Sequence, residues 1–174
     1  MKSIISHILT PSRFPWAALF MSGGLLGGAW FFQYVLGYAP CQMCYWQRHA
    51  HKIIIGVAIV SVVALRLEKM ARFARLFCLL LALAFLGSVV MGLWHVGVEQ
   101  GLLEGPKSCM SGPINIDDIG SGDLLASLNN KIKPPACSDI VWSFLGLSMA
   151  GWNALLSFIG MCLALAALRR RSAL

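Results

Sequence analysis

Eight consecutive residues hold most of the reactive chemistry in this chain: Cys41-Gln42-Met43-Cys44-Tyr45-Trp46-Gln47-Arg48. Two thiols set two residues apart can close into a disulfide or hold a soft metal ion, so the pair is a redox or a metal device. A disulfide across so short a span is strained and relatively oxidising, which suits exchange better than stapling. The other cysteines are Cys78, Cys109, Cys137 and Cys162. Which of them share a compartment decides what they can do, so the elements that position them come next.

The chain has 174 residues, 58% hydrophobic and only 12% charged. A soluble domain carries roughly twice that charged fraction. Long apolar runs point instead to an all-α, polytopic membrane protein, a four-transmembrane-helix bundle with two extracytoplasmic loops, forming a single membrane domain over 1–174. The expected spans are about 16–35, 45–65, 73–94 and 148–168, and the loops about 36–44 and 95–143. The net charge of +7 does not signal a nucleic-acid partner, because the basic residues sit at the ends of apolar runs. Pro11 and Pro15 read as breakers before the first span. Gly23, Gly24, Gly27 and Gly28 form overlapping Gly-x-x-x-Gly pairs that allow a close helix approach, although glycine is also simply common in such helices. No small-x-small cleavage site follows this run, so it is expected to be retained.

Basic residues fix the orientation. Lys2 and Arg13 precede the first span; Arg66, Lys69, Arg72 and Arg75 lie between the second and third; Arg169, Arg170 and Arg171 close the chain. The long loop holds Glu99, Glu104, Asp117, Asp118, Asp123 and Asp139. The positive-inside rule makes both termini and the middle link cytoplasmic. Cys41, Cys44, Cys109 and Cys137 then face outward, where disulfides persist. The simplest pairs are Cys41 with Cys44 and Cys109 with Cys137, the second being a structural staple on the plainest reading. A four-thiolate zinc site is the other option, although Cys109 and Cys137 lack the tight knuckle spacing. Cys78 and Cys162 fall inside spans and read as small core residues. Leu124, Leu125, Leu128 and Ile132 recur at helical spacing, as in a surface helix or one packed on the bundle.

Cys44 stands where the second helix is expected to start, and helix N-termini favour thiolate. Cys44, Arg48 and Lys52 follow at i, i+4 and i+8, on one face. Snorkelling to headgroups is the plain alternative for both cations. The outer side disfavours such charges, so a functional role is expected for Arg48, whereas Lys52 keeps the snorkelling reading. His95 and Glu99 stand i, i+4 at the outer end of the third span. His95 either donates to a redox ligand or caps the helix, and Glu99 is placed to orient it.

Together these residues resemble the disulfide bond formation protein B (DsbB) family. The resemblance covers nearly the whole chain and is most specific at Cys41-x-x-Cys44 with Trp46 and Arg48. Cys137 followed by Trp142-Ser143-Phe144-Leu145-Gly146-Leu147 also resembles the family's entry to the last span. His95-Val96-Gly97-Val98-Glu99 and Gly105-Pro106-x-x-Cys109 fit less closely. The resemblance implies a bacterial inner-membrane oxidoreductase with periplasmic cysteine loops. Such an enzyme reoxidises a periplasmic thioredoxin-fold dithiol oxidase (DsbA-like) and passes two electrons to membrane quinone, ubiquinone or menaquinone. It also implies roles: the partner's thiol attacks Cys109, Cys137 engages Cys41, Cys44 faces the quinone, and Arg48, with His95 assisting, binds it. A DsbA-type partner lies near about −120 mV, so ordinary protein disulfides cannot reoxidise it and a stronger acceptor has to draw the electrons off. A membrane thiol reductase running electrons outward is the nearest rival, but Cys78 and Cys162 lack a relay motif. A rival of another class is a non-enzymatic metal-binding or assembly membrane protein that uses the outer cysteines as ligands.

Overall fold

In the computed structural model, which describes residues 10–106 and 135–170, the apolar runs fold as helices. Helix α1 is Phe14–Tyr34, α2 Gln42–Ala64, α3 Ala74–Glu99 and α4 Met149–Arg169; a hairpin of β1 Ser143–Phe144 and β2 Leu147–Ser148 precedes α4. Pro15 lies in the first turn of α1, where its missing N–H costs nothing, so it starts the helix rather than breaking the chain. Past the end of α1, Gly37 takes a φ of 76° and the Tyr38 N–H donates to the Phe32 carbonyl at 3.0 Å. Gly101, with φ 70°, plays the same part after α3. The basic link is a 3-10 turn, Glu68–Phe73. Leu145 and Gly146, with φ of 50° and 79°, make the tight turn between β1 and β2. Helix α2 begins earlier than expected, at Gln42, and α3 continues through His95 to Glu99.

Among the described residues, two segments, Glu68–Glu99 and Met149–Arg169, are long and apolar enough to cross a membrane. The distribution of side chains suits lipid as solvent. Ser22, Ser61, Ser88, Ser157, Ala58, Ala82, Ala164 and Ala167 are buried between helices, while Phe20, Val60, Val63, Leu83, Val90, Leu93 and Phe158 face outward. Water would favour the reverse; helices in lipid associate through small residues and polar contacts.

Helix α3 packs most extensively on α4, α2 bridges α1 and α3, and α1 meets α4 only lightly. The close approaches lie on the α3–α4 seam, where a Cβ on Gly92 would come within 2.9 Å of Ala154 and one on Gly160 within 2.7 Å of Phe85. The approach expected at Gly23, Gly24, Gly27 and Gly28 is not made: a Cβ on any of them would meet nothing within 4 Å. Gly24 and Gly28 border an open cavity instead. Cys78 is a core residue as expected, its S–H directed to the Pro11 carbonyl at 3.6 Å. Cys162 corrects its assignment to the core. It is exposed, because the inward face of α4 runs through Gly160 and Ala164 and leaves residue 162 on the outside. Cys109 and the helical pattern at 124–132 lie outside the described residues.

Candidate functional site: a dithiol between a buried cluster and an apolar cavity

Cys41 is the N-cap of α2, with extended backbone (φ −75°, ψ 173°), and its sulfur accepts from the Cys44 N–H at 3.2 Å. Just before it, Pro40 keeps Ala39 out of helical space, so the helix does not extend back past Cys41. The Cys41 and Cys44 sulfurs lie 2.9 Å apart, within hydrogen-bond reach. The surroundings favour the thiolate on Cys41. The Cys44 S–H, the His95 ring and the Cys44 N–H bring Cys41 from 9.0 down to about 4, against burial, which raises it. Cys44 moves up, because it donates to Cys41 and is itself buried, with Arg48 opposing. The helix-start thiolate expected at Cys44 therefore belongs to Cys41 in the reduced pair. The reason is positional: α2 begins at Gln42, so the capping sulfur is the earlier one.

The two sulfurs share one neighbourhood and differ in a second. Cys41 packs with Met43, Val98 and Cys137 in a buried cluster edged by Cys44, Trp46 and Trp94. His95 Nε2 lies 3.6 Å from Cys41 Sγ, and the Gln47 amide nitrogen donates to His95 Nδ1 at 2.8 Å. Gln47 thus fixes the ring so that the Nε2 hydrogen is directed at the sulfur. Glu99 Oε1 is 3.9 Å from Nε2. Ser148 donates to Glu99 Oε2 at 2.5 Å while its oxygen also caps α4, accepting from Gly151 N–H at 3.1 Å. Glu99 therefore ties the end of α3 to the start of α4, besides facing His95. A cavity of about 20 Å³, large enough for about one water, lies among Cys41, Cys44, His95, Glu99 and Asp139. Cys137 is disulfide-bonded; its expected partner Cys109 lies outside the described residues.

On its other side Cys44 lines a cavity of about 260 Å³. Its walls come from α1 (Gly24 to Phe32), α2 (Cys44, Gln47, Arg48, His51), α4 (Met149 to Leu156) and the approach to the hairpin (Val141, Trp142). The light contact between α1 and α4 is what leaves this space. Arg48 is anchored across it to α1: Nη1 donates to Gln33 Oε1 and Nη2 to the Ala29 carbonyl at 3.0 Å. The guanidinium also lies 5.5 Å from the Tyr45 ring centre. It is a fixed cation, not a free headgroup anchor. Lys52 is exposed and outside the cavity lining. Phe32, Trp142, Phe144 and Trp152 form a chain of aromatic contacts, 4.9 to 6.2 Å between neighbouring rings, which seats the hairpin beside the cavity.

Among the described residues, Cys41, Cys44 and His95 have donor atoms within 4.8 Å of one another, a spacing a metal ion accepts. The four-thiolate zinc set is not assembled, since Cys137 is already in a disulfide. Gln47, Ser148 and Asn153 are site residues that sequence reasoning passed over. The available signal was a strongly polar side chain inside a span or at its mouth, which is costly in lipid and marks function or a paired contact.

The family model described as "Disulfide bond formation protein DsbB" matches residues 11–167. The chain belongs to the DsbB family. It is 32% identical over 158 residues to Disulfide bond formation protein B of Idiomarina loihiensis, covering 86% of this chain and 80% of that one. Identity to the protein of the same name from Aromatoleum aromaticum is 33% over 131 residues, 75% of each chain. Disulfide bond formation protein B 2 of Pseudomonas aeruginosa is 30% identical over 174 residues, 94% of this chain and 95% of that one. No solved structure matches. DsbB membership makes this a disulfide bond formation protein with a redox role, and with its apolar helices a membrane protein.

Proposed function

We propose that this DsbB-family chain is a quinone-dependent thiol oxidase of the bacterial inner membrane. It reoxidises a periplasmic thioredoxin-fold dithiol partner (DsbA-like) and passes the electrons to ubiquinone or menaquinone. All four helices span the bilayer, with both termini cytoplasmic and both cysteine loops periplasmic. The observation that carries this reading is the division at the Cys41–Cys44 pair. One sulfur packs in a cluster with Cys137, and the other lines an apolar cavity beside a fixed arginine. The cavity suits a quinone ring: it is lined mainly by apolar side chains, and Arg48 supplies a charged donor.

When bound, a quinone supplies an acceptor for two electrons and two protons and leaves as quinol. The chain's own residues set the route. The partner's thiolate attacks Cys109 of the Cys109–Cys137 disulfide and releases Cys137 as thiolate. Cys137 attacks Cys41 of the Cys41–Cys44 disulfide and releases Cys44. While Cys41 is bonded to Cys137 it carries no negative charge beside Cys44, and Arg48 favours the Cys44 thiolate against its burial. With a quinone in the cavity, Cys44 would face its ring as the electron donor and Arg48 would stabilise negative charge on the ring oxygen. The partner's second thiol displaces Cys109, Cys109 re-forms its bond to Cys137, and the freed Cys41 closes on Cys44, the two electrons released in forming that bond being those a bound quinone would accept. The two protons it would need are those lost by the partner dithiol. His95 holds Cys41 as thiolate when it becomes a leaving group.

The test is anaerobic mixing of the purified protein with a reduced thioredoxin-fold partner and ubiquinone-1 or a menaquinone analogue, following quinol absorbance. One quinol per partner disulfide is expected. Partner oxidation without quinol formation would overturn the proposal. The Cys41–Cys44–His95 spacing is the one observation that favours the metal-binding reading. Zinc at one equivalent that protects both thiols, with no quinone reduction, would favour it.

A further inference from the structure

No charged residue stands between Asp139 and Arg169, yet α4 begins only at Met149. The uncharged run therefore continues outward past the helix and through the β1–β2 hairpin. Pairing of Ser143 with Ser148 and of Phe144 with Leu147 leaves Leu145-Gly146 as a two-residue turn, both at positive φ. Asparagine, aspartate or glycine is the usual first residue of such a turn, because each tolerates the left-handed conformation and suits water. Here the position is held by a leucine that is 78% exposed, beside a Phe144 that is 54% exposed. Water disfavours a large apolar tip of this kind; an apolar surrounding does not.

The place of the hairpin supplies that surrounding. The 21 residues of α4, at about 1.5 Å each, match a hydrocarbon core about 30 Å thick. The first turn of α4 then lies at the outer boundary of that core. The hairpin is fastened at this level: Trp152 Nε1–H donates to the Phe144 carbonyl at 3.0 Å, and the two rings are 6.2 Å apart. Trp152 heads an outward stripe with Leu155 and Ile159, both 41% exposed, at i, i+3 and i+7. Phe144 continues that stripe beyond the end of the helix. Two short strands leave edge N–H and C=O groups unpaired, which keeps the hairpin out of the hydrocarbon core. The boundary, where tryptophan and apolar side chains meet hydrated headgroups, satisfies both demands.

We propose that the Phe144–Leu147 turn is a membrane foot. It rests in the periplasmic leaflet, with Phe144 and Leu145 among the upper acyl chains and the strand edges among the headgroups. Its partner is the lipid surface itself. This rests on the reading that α4 crosses the bilayer. Trp142 stacks on Phe144 at 6.1 Å and lines the large cavity, so the foot also ties a cavity wall to the bilayer surface.

Nitroxide accessibility in vesicles of phosphatidylethanolamine and phosphatidylglycerol tests the proposal. The oxidised full-length protein carries the label at Leu145→Cys in a Cys162→Ser background, where Cys78 is fully buried. Phe158→Cys, midway along α4, is the lipid reference, and Gln100→Cys, past the end of α3, is the aqueous one. Oxygen is expected to relax the label at 145 more than a water-soluble nickel chelate does, as at 158 and opposite to 100. Greater relaxation by nickel at 145 overturns the proposal. Shielding from both agents at 145 also overturns it, because protein then covers the turn, whether the dithiol partner, a second copy or this chain. Greater relaxation by nickel at 158 fails the spanning reading itself, a distinct result that takes the proposal with it. A second arm needs no variant. In the wild-type protein a phosphatidylcholine with a diazirine high on its acyl chain should label residues 144–147. Label on α4 with none on that turn overturns the proposal even if the variants fail to fold.

Discussion

Cys41 and Cys44 sit within one turn of one helix and share a buried cluster, yet only Cys44 also opens on the larger apolar cavity. Cys41 caps α2, is 4% exposed and faces protein: Cys137, Val98 and the His95 ring. Cys44 borders an apolar cavity and a guanidinium that two hydrogen bonds hold to α1. One sulfur is dressed for exchange with another sulfur, and the other for contact with a lipid-soluble molecule. A dithiol carries electrons across such a boundary only if its halves differ in this way. The single turn of α2, started at Gln42, is the device that separates them.

The comparison can be broken most completely at the sulfurs. Cys44→Ala should abolish quinol formation, because Cys41 then offers no disulfide for Cys137 to attack, while the mixed disulfide of Cys109 with the partner still forms, visible on non-reducing gels; residual quinol formation would deny Cys44 its role. Cys109→Ala should remove the covalent complex with the partner. Next in size, Arg48→Ala should raise the apparent KM for quinone tenfold or more, on the scale of a lost charged donor, and leave both cysteine pairs oxidisable. Unchanged quinone kinetics would reduce Arg48 to an anchor.

A smaller effect sharpens the Cys41 side. His95→Ala should raise the Cys41 pKa by about a unit, read as thiolate ultraviolet absorbance of the reduced protein against pH. The folded pKa is depressed, from 9.0 to about 4. The reduced protein therefore gains its full stability from this thiolate above pH 9, and loses it progressively as pH falls toward about 4. Thermal midpoints of the reduced protein should fall over that window, and those of the oxidised protein should not. Smallest of all, Cys162→Ser should change neither turnover nor stability, because its side chain faces outward.

The reactive residues were legible because their chemistry is local. Cys-x-x-Cys, an arginine one turn on and a histidine at the mouth of a span need only spacing and sidedness to be found. The cavity was not legible. It arises because α1 stands off α4, and helix separation depends on every contact along the seam. Gly23-x-x-x-Gly27 and Gly24-x-x-x-Gly28 fit a close approach as well as they fit an open wall, and Gly24 and Gly28 turn out to line the opening. Cys162 was misplaced for a related reason: in an apolar helix whose every face accepts carbon, composition does not say which side points inward. The thiolate was assigned to Cys44 because helix starts read from sequence drift by a residue or two, and at a helix N-terminus that drift moves a capping group. Gln47 and Asn153 could have been singled out as polar groups beside or inside apolar runs, but their partners lie 48 and 102 residues away in the chain.

Photolabelling would test the division between the sulfurs most directly. A photoactivatable ubiquinone analogue, irradiated in the purified protein and mapped by mass spectrometry, should label cavity segments: Gly24 to Phe32 on α1, Cys44 to His51 on α2, and Met149 to Leu156 on α4. Excess ubiquinone-1 should suppress that label. Competable labelling on the opposite face, around Ile53, Gly87 and Met91, with the α1 and α4 segments left clean, would place the electron acceptor elsewhere and contradict the role given to Cys44.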